Sequence, residues 1–156
     1  MKELVRLLQQ NKYQNIQTYI QSGNVVLRSH KRPDASIGSI VEKKFGFKPE
    51  VLVLEESELT LSIENNPYRS AEGKKIHFCF CKHTPKPDVE KLQRYRSQSE
   101  KYYLKGKVFY LYAPDGIGRS KLAANIESCL GVTTTGRNLN TVNKLQEMMV
   151  WNGGND

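Results

Sequence analysis

The stretch KKIHFCFCK, residues 74–82, decides the fold class of the C-terminal half of the chain. Its aromatic and thiol side chains occupy alternate positions, a period of two that predicts a β-strand. Two further strands follow in EKYYLKG (100–106) and KVFYLYAP (107–114), which a tight hairpin at Lys105-Gly106 joins. These three strands predict one sheet in this half.

Segments with helical periodicity lie between these strands and after them. TPKPDVEKLQRYRS (84–97) predicts a loop that leads into a helix, and GRSKLAANIESCLG (118–131) predicts a helix that stops at Gly131. LNTVNKLQEMMVW (139–151) predicts a last helix. The order is therefore β-α-β-β-α and then an extra helix, one strand short of the split β-α-β-β-α-β unit of ferredoxin-like folds.

The N-terminal half repeats this logic with the order α-β-β-α-β. The predicted elements are a helix in KELVRLLQQN (2–11), two strands in IQTYIQSGNVVLRS (16–29), a helix in PDASIGSIVEKKFGF (33–47) and a strand in EVLVLEE (50–56). SELTLSIENN (57–66) predicts a further helix, ended by Asn66-Pro67.

These elements predict an α+β protein of two ferredoxin-like subdomains, the first of which lacks its first strand. The expected boundaries are 1–56 for the first subdomain, 57–73 for a bridging helix and linker, and 74–156 for the second subdomain with its extra C-terminal helix. One continuous mixed sheet with helices on one face is the alternative architecture.

Composition limits the class of protein. The 156 residues carry a net charge of +8, dispersed along the chain, which favours anionic partners. No apolar run approaches the ~20 residues of a membrane span, and the N-terminus is too polar for a secretory signal. Three cysteines form no disulfide framework. We therefore expect a cytoplasmic protein without a membrane partner.

Three polar clusters are candidate binding sites. In DGIGRSKL (115–122), Asp115 or Ser120 caps a helix beside Arg119 and Lys121, although the order of residues fails the P-loop pattern. The other candidates are Arg137, Asn138 and Lys144 in TTTGRNLNTVNKL (133–145), and Ser22, Gly23 and Asn24 at a hairpin tip. Each cluster also has a purely structural interpretation, as a turn, a helix cap or an internal ion pair.

No cofactor or metal is expected. In HFCFCKH (77–83), four potential ligands alternate along ~20 Å of strand, too far for one zinc, whose ligands lie ~2 Å away. The cysteines are interpreted as core residues and His77 as a satisfied polar group. No catalytic constellation stands out. Four tyrosines lie on the predicted hairpin, where base stacking is the alternative to strand packing: Tyr102, Tyr103, Tyr110 and Tyr112.

The leading functional hypothesis is a non-enzymatic binding module for an anionic small molecule, with its site near Arg119, Ser120, Lys121, Arg137, Asn138 and Lys144. One alternative is a small enzyme that uses the cleft between subdomains, with Ser22, Asn24 or His77 as participants. Another is nucleic-acid binding across the tyrosine-bearing sheet.

Five ordered motifs carry a family resemblance: TYIQSGNVVL, NNPY, KKIHFCF, VFYLYAPDGIGRSKL and LGVTTTGRNLNTVNKL. Together they resemble a bacterial family, domain of unknown function 1697, over about residues 2–148. The resemblance implies a two-subdomain α+β protein and no particular reaction or ligand.

The chain departs from that family pattern at its start. Members of the family usually begin with a further strand and a loop rich in arginine, glycine and asparagine, whereas here Met1 stands at the first helix. The first strand of a ferredoxin-like unit is central, so its absence exposes unpaired backbone groups. Truncation, re-pairing of the sheet and a strand from another molecule are the three explanations that the sequence leaves open.

Overall fold

A computed structural model of the chain describes residues 2–19, 23–29, 32–33, 35–47 and 49–153. Within these ranges there are two antiparallel sheets, one of two strands and one of four, together with helices. The predicted α+β class is confirmed.

The backbone divides into two compact units. The first comprises Met1–Thr60 and Lys144–Asp156, and the second comprises Leu61–Asn143. The subdomain boundaries expected from the sequence stay a prediction, because compactness alone does not show which segments fold independently.

The first unit contains a two-stranded hairpin and helices. Its elements are α1 Lys2–Gln10, β1 Gln14–Tyr19, β2 Asn24–Arg28, α2 Ala35–Phe45, the start of α3 Glu56–Glu64 and, from Lys144 onward, the last helix Leu139–Gly153. β1 and β2 pair antiparallel, with Tyr19 opposite Asn24. The hairpin predicted around Ser22-Gly23-Asn24 therefore forms, although Ser22 itself lies outside the described residues.

The strand predicted at EVLVLEE is wrong for the described residues, where 50–55 form no ladder and α3 already begins at Glu56. The physical reason is that no strand among the described residues pairs with this segment; the carbonyl of Val53 instead accepts a hydrogen bond from the Arg32 guanidinium at 2.8 Å. The apolar side chains of residues 51–54 are half-buried. The apolar run in this segment thus indicates partial burial but does not indicate a strand paired in a sheet.

The second unit contains a complete split unit. Its main elements are β3 Ile76–Cys81, α4 Val89–Tyr95, β4 Lys101–Lys105, β5 Val108–Tyr112, α5 Lys121–Ala124, α6 Ile126–Leu130, β6 Thr134–Asn138 and the start of α7 Leu139–Gly153. The strand order is β4-β5-β3-β6, with every pair antiparallel. This is the β-α-β-β-α-β arrangement.

The prediction that the second half is one strand short is therefore corrected by β6. This strand lies in TTGRN, where glycine, arginine and asparagine leave no apolar alternation to indicate a strand. It pairs with β3 at the edge of the sheet, with Gly136 opposite Cys79.

The two faces of the four-stranded sheet are distinct. On the helix face, Cys79 and Leu111 belong to a buried cluster with Leu122 and Cys129 of the helices. On the second face, Phe78 and Tyr110 are buried. Residues that are paired across antiparallel strands project to the same side of the sheet. The register therefore assigns each of the remaining strand residues to one of these two faces.

The predicted helix over 118–131 is broken in the structure. α5 and α6 meet at Asn125, which lies outside helical backbone geometry with φ −115° and ψ 16°. Gly131 ends α6 in the left-handed conformation with φ +67°, as expected for a glycine stop.

None of the helices in the described part of the chain has both the length and the apolar character that crossing a membrane requires.

Candidate functional site

Two of the predicted basic clusters lie at one end of the four-stranded sheet. Tyr112 at the end of β5 pairs with Ile76, and Asn138 at the end of β6 pairs with His77. The loop after β5 and the junction of β6 with α7 therefore leave the sheet on the same side, which we call the Asn138 end. Only β3 separates β5 from β6, so their axes are ~10 Å apart.

The loop DGIGRSKL folds as a tight turn into α5. Gly116 has φ +102°, a conformation that favours glycine, and Ile117–Arg119 form one 3-10 turn. Ser120 caps α5, since its hydroxyl oxygen accepts a hydrogen bond from the Ala123 backbone at 3.0 Å. Asp115 is not the cap; it accepts a hydrogen bond from Ser99 at 2.5 Å.

The two cations of this loop are available to solvent. Arg119 and Lys121 are both exposed, while Ser120 between them is buried. Within the described ranges neither cation makes an ion pair. Two uncompensated positive charges thus flank the start of α5.

Arg137 and Asn138 lie on opposite faces of β6, because they are neighbours in a strand. Asn138 projects to the helix face and caps α7, accepting a hydrogen bond from the Thr141 backbone at 2.9 Å. Arg137 projects to the second face, is half-buried and donates to the Gly136 carbonyl at 2.8 Å. Burial lowers the pKa of this guanidinium from its ordinary value, but arginine stays charged in proteins.

The remaining predicted residues belong to the first unit. Lys144 lies on α7, 3.8 Å from Glu147 in an exposed pair. Gly23 has φ +96°, and Asn24 is buried with its amide donating to the Tyr19 carbonyl at 3.0 Å. These contacts close the hairpin, so the geometry of the turn is enough to explain glycine and asparagine at positions 23 and 24. The loop that leads from β5 to residues 119–121 and the end of β6 at residues 137–138 leave the sheet at the same end, where Asn138 projects to the helix face and Arg137 to the second face.

The thiols on the helix face are buried in the core. Burial raises the pKa of Cys79 to about 12 and that of Cys81 to about 11. Both remain protonated at neutral pH and are poor nucleophiles. Among the residues that the structure describes, no three His, Cys, Asp or Glu side chains are arranged to hold a metal ion.

His77 is a buried polar group with one unmatched nitrogen. Only 8% of the residue is exposed, and its Nε2 has no hydrogen-bond partner in the described part of the chain. Burial lowers the pKa of the imidazole below 6.5, and a hydrogen bond with the Lys74 backbone opposes this shift. The interpretation of His77 as fully satisfied is therefore corrected.

Acidification is expected to destabilise the protein through His77. Since its folded pKa lies below 6.5, the unfolded chain takes up a proton that the folded chain resists, and stability falls as the pH decreases through 6.5. Urea unfolding at about pH 7.5 and about pH 5.5 measures this loss. The loss of stability on acidification should be smaller in His77→Gln and unchanged in the exposed control His83→Gln. Equal losses in both variants would show that another group is responsible.

The tyrosine hairpin is not an open platform for bases. Tyr110 is 1% exposed and Tyr102 stacks on Phe109 with ring centroids 5.4 Å apart, on the helix face. Tyr103 is 43% exposed and stacks on Tyr110. Tyr112 is half-buried. Tyr102, Tyr110 and Tyr112 thus serve mainly in packing.

A pair of exposed aromatic side chains is a further surface feature, which the sequence motifs did not predict. Phe45 and Phe47, at the end of α2, are both exposed. The signal in the sequence is the run KKFGFK, residues 43–48, in which lysines flank two phenylalanines.

The fold defines an α+β protein with a complete split unit, and two exposed cations follow the loop at one end of its four-stranded sheet. The model of the protein family of unknown function DUF1697 matches residues 1–110, and the chain belongs to this family. The chain is also similar to the structure of the conserved bacterial protein SP0830 from Streptococcus pneumoniae, with a TM-score of 0.66 and 21% identity. That similarity covers 96% of this chain and 88% of the other, and it shows the fold. No curated protein matches the chain.

Proposed function

We propose that this protein is a non-enzymatic binding module for an anionic ligand bearing phosphate or carboxylate, which it binds at the Asn138 end of the four-stranded sheet. The observation that carries the proposal is the pair of exposed cations, Arg119 and Lys121, on either side of the α5 start. Neither is neutralised by an acidic group among the described residues.

The arrangement of the neighbouring groups supports an anion at this position. Arg119 offers a planar fork of donors that suits carboxylate and phosphate, and Lys121 offers a compact charge. Arg137 and Asn138 lie two strands away at the same end of the sheet. The Asn138 side chain uses its oxygen in the α7 cap, which leaves its amide hydrogens for a ligand.

The proposal rests on the second unit alone. Lys144, Ser22, Gly23 and Asn24 were also expected to contribute, but they belong to the first unit and are not required for the arrangement described here. A net charge of +8 adds a general attraction for anions, which is screened beyond ~8 Å at physiological salt. Specific binding must therefore come from the local groups.

A thermal-shift experiment tests this proposal. Phosphorylated metabolites, nucleotides and dicarboxylates are compared on the wild type, on Arg119→Ala/Lys121→Ala and on Lys107→Ala. Lys107 is an exposed cation in the hairpin at the opposite end of the sheet, so it is the matched control. A ligand at 100 times its Kd stabilises a protein by ~2.7 kcal/mol.

We expect at least one compound to raise the Tm of the wild type and of Lys107→Ala, and to have no effect on the double variant. The same rise in all three proteins would refute the site. An equal loss in Lys107→Ala and in the double variant would show that only the overall charge matters.

A second candidate function is favoured by one observation. Lys101, Tyr103 and Lys105 alternate along β4, so they project to the same face of this edge strand, and all three are exposed. Lysines that bracket an exposed aromatic ring suit single-stranded nucleic acid. Affinity for an oligonucleotide that falls steeply with salt and is lost in Tyr103→Ala would support this alternative.

A further inference from the structure

The end of α2 presents two large apolar side chains to solvent. Phe45 is 37% exposed and Phe47 is 60% exposed, and their ring centroids lie 6.5 Å apart at an angle of 40°. Phenylalanine is among the residues most often buried in folded proteins. A pair of adjacent exposed rings is therefore a feature that needs an explanation.

The backbone at the helix end holds the two rings side by side. Gly46 adopts φ +81°, and its N–H donates to the Glu42 carbonyl at 2.9 Å, so the chain turns sharply at the end of the helix. Val41 is the last buried residue of α2, and every residue from Glu42 to Phe47 is exposed. The rings thus lie on an exposed turn at the end of α2.

Two lysines lie beside these rings in the last turn of α2, Lys43 and Lys44. Within the described ranges neither Lys43 nor Lys44 makes an ion pair, and Glu42 is the acidic residue of this turn. We define the aromatic tip as residues 42–47.

We propose that the aromatic tip is a peripheral docking site for an anionic phospholipid bilayer, with Phe45 and Phe47 inserted at the level of the headgroups and the lysines in contact with lipid phosphates. This is a contact with the membrane surface and involves no spanning segment. Aromatic side chains that enter the interface, together with lysines attracted to anionic lipid, are the usual elements of such contacts.

The size and charge of the tip favour a bilayer over a protein partner. The exposed parts of two phenylalanines amount to on the order of 200 Å², whereas a stable protein interface takes about 800 Å² from each partner. A second copy of this chain would also bring the lysines of two tips together. A bilayer needs only a few inserted side chains and supplies negative charge around them.

Vesicle co-sedimentation tests the proposal. Vesicles of phosphatidylcholine with about a third phosphatidylglycerol are compared with pure phosphatidylcholine at physiological salt. The net charge of +8 attracts every variant to anionic vesicles, so the decisive quantity is the difference between Phe45→Ser/Phe47→Ser and Val89→Ser. Val89 is a 62% exposed apolar residue of the second unit and serves as the matched control.

We expect the double phenylalanine variant to lose about tenfold in partitioning to anionic vesicles, and the Val89→Ser control to stay within about twofold of the wild type. Lys43→Gln/Lys44→Gln should weaken binding to anionic vesicles without changing the low binding to neutral ones. Equal binding by the wild type and the phenylalanine variant would overturn the proposal. Concentration-dependent dimerisation that only the phenylalanine variant loses, without vesicle binding, would identify a second copy as the occupant and overturn it as well.

A depth measurement gives an independent result. Phe47→Trp is introduced into a Trp151→Phe background, because Trp151 is the one tryptophan of the chain. Insertion should shift the emission of the new tryptophan to shorter wavelength and expose it to quenching by brominated lipid. Emission and quenching that do not change on addition of anionic vesicles would contradict insertion, even if the protein still sediments with them.

Discussion

Phe78→Ala is expected to lower the free energy of unfolding by about 3–5 kcal/mol. Phe78 lies on the central strand β3 and is fully buried on the second face of the sheet. Its ring contacts Tyr110 edge-on at 4.9 Å between centroids, and Phe80 at 6.0 Å. Alanine removes these contacts and leaves a cavity that a four-stranded sheet with helices on its other face has little freedom to close.

Urea unfolding followed by circular dichroism measures this effect. Phe47→Ala is the matched control, because the same substitution at a ring that is 60% exposed should cost less than about 1 kcal/mol. A loss at Phe78 no larger than that at Phe47 would show that the second face of the sheet is not the packed core described here.

Tyr110→Phe is expected to cost about 1–3 kcal/mol, through one hydroxyl group. This hydroxyl is buried and donates to the Ser62 carbonyl at 2.6 Å. Burial, with a smaller contribution from Tyr103, raises the pKa of Tyr110 to about 12, so the phenol remains a donor.

The Ser62 carbonyl that accepts this hydrogen bond lies in the last turn of α3, where helix carbonyls lack the usual partners further along the helix. The neighbouring carbonyls of Leu61 and Ile63 accept from the backbone of Asn65 and Asn66, and Arg69 donates to Glu64. Tyr110 therefore adds a buried hydrogen bond at the end of the helix, and phenylalanine removes it.

Equilibrium unfolding of Tyr110→Phe and of the control Tyr103→Phe separates this hydrogen bond from the general effect of losing a hydroxyl. Tyr103 stacks on Tyr110 at 6.1 Å between ring centroids but is 43% exposed, so the loss of its hydroxyl removes no buried hydrogen bond shown for this residue in the described part of the chain. We expect a change at Tyr103 within about 0.5 kcal/mol. Similar losses at both positions would contradict the helix-end role of Tyr110.

The sequence predicted the sheet of the second unit best where the pattern of side chains was strongest. β3 and β5 are rich in aromatic and branched residues. The turn between β4 and β5 contains Gly106, which has φ +59°. β6 escaped prediction because its strand character comes from pairing with β3 and not from apolar alternation. The reverse happened at residues 50–56, where an apolar run without a pairing strand stayed irregular.

The candidate site shows a similar division between local and long-range information. The cap by Ser120, one of the two caps expected from the sequence for this loop, and the cap by Asn138 each depend on residues within three positions, so local sequence can predict them. That the two clusters lie at one end of the sheet, and that Arg137 and Asn138 project to opposite faces, depends on the register of β6. No local pattern specifies this register.

The exposure of Phe45 and Phe47 was equally hidden from local patterns. Phe45 follows Val41 at helical spacing, which favours a continued buried stripe along α2. The helix instead extends past the packed part of the first unit, so the last turn lies in solvent.

The proposal of one anion site at the Asn138 end is tested most directly by an amide chemical-shift titration of the isotope-labelled protein with inorganic phosphate, followed by the best ligand from the thermal screen. We expect amides of residues 116–122 and 137–141 to shift together along one saturation curve, while those of the hairpin at 105–107 stay fixed. Shifts in only one of the two stretches, separate saturation curves for them, or equal shifts at the hairpin would contradict a shared site.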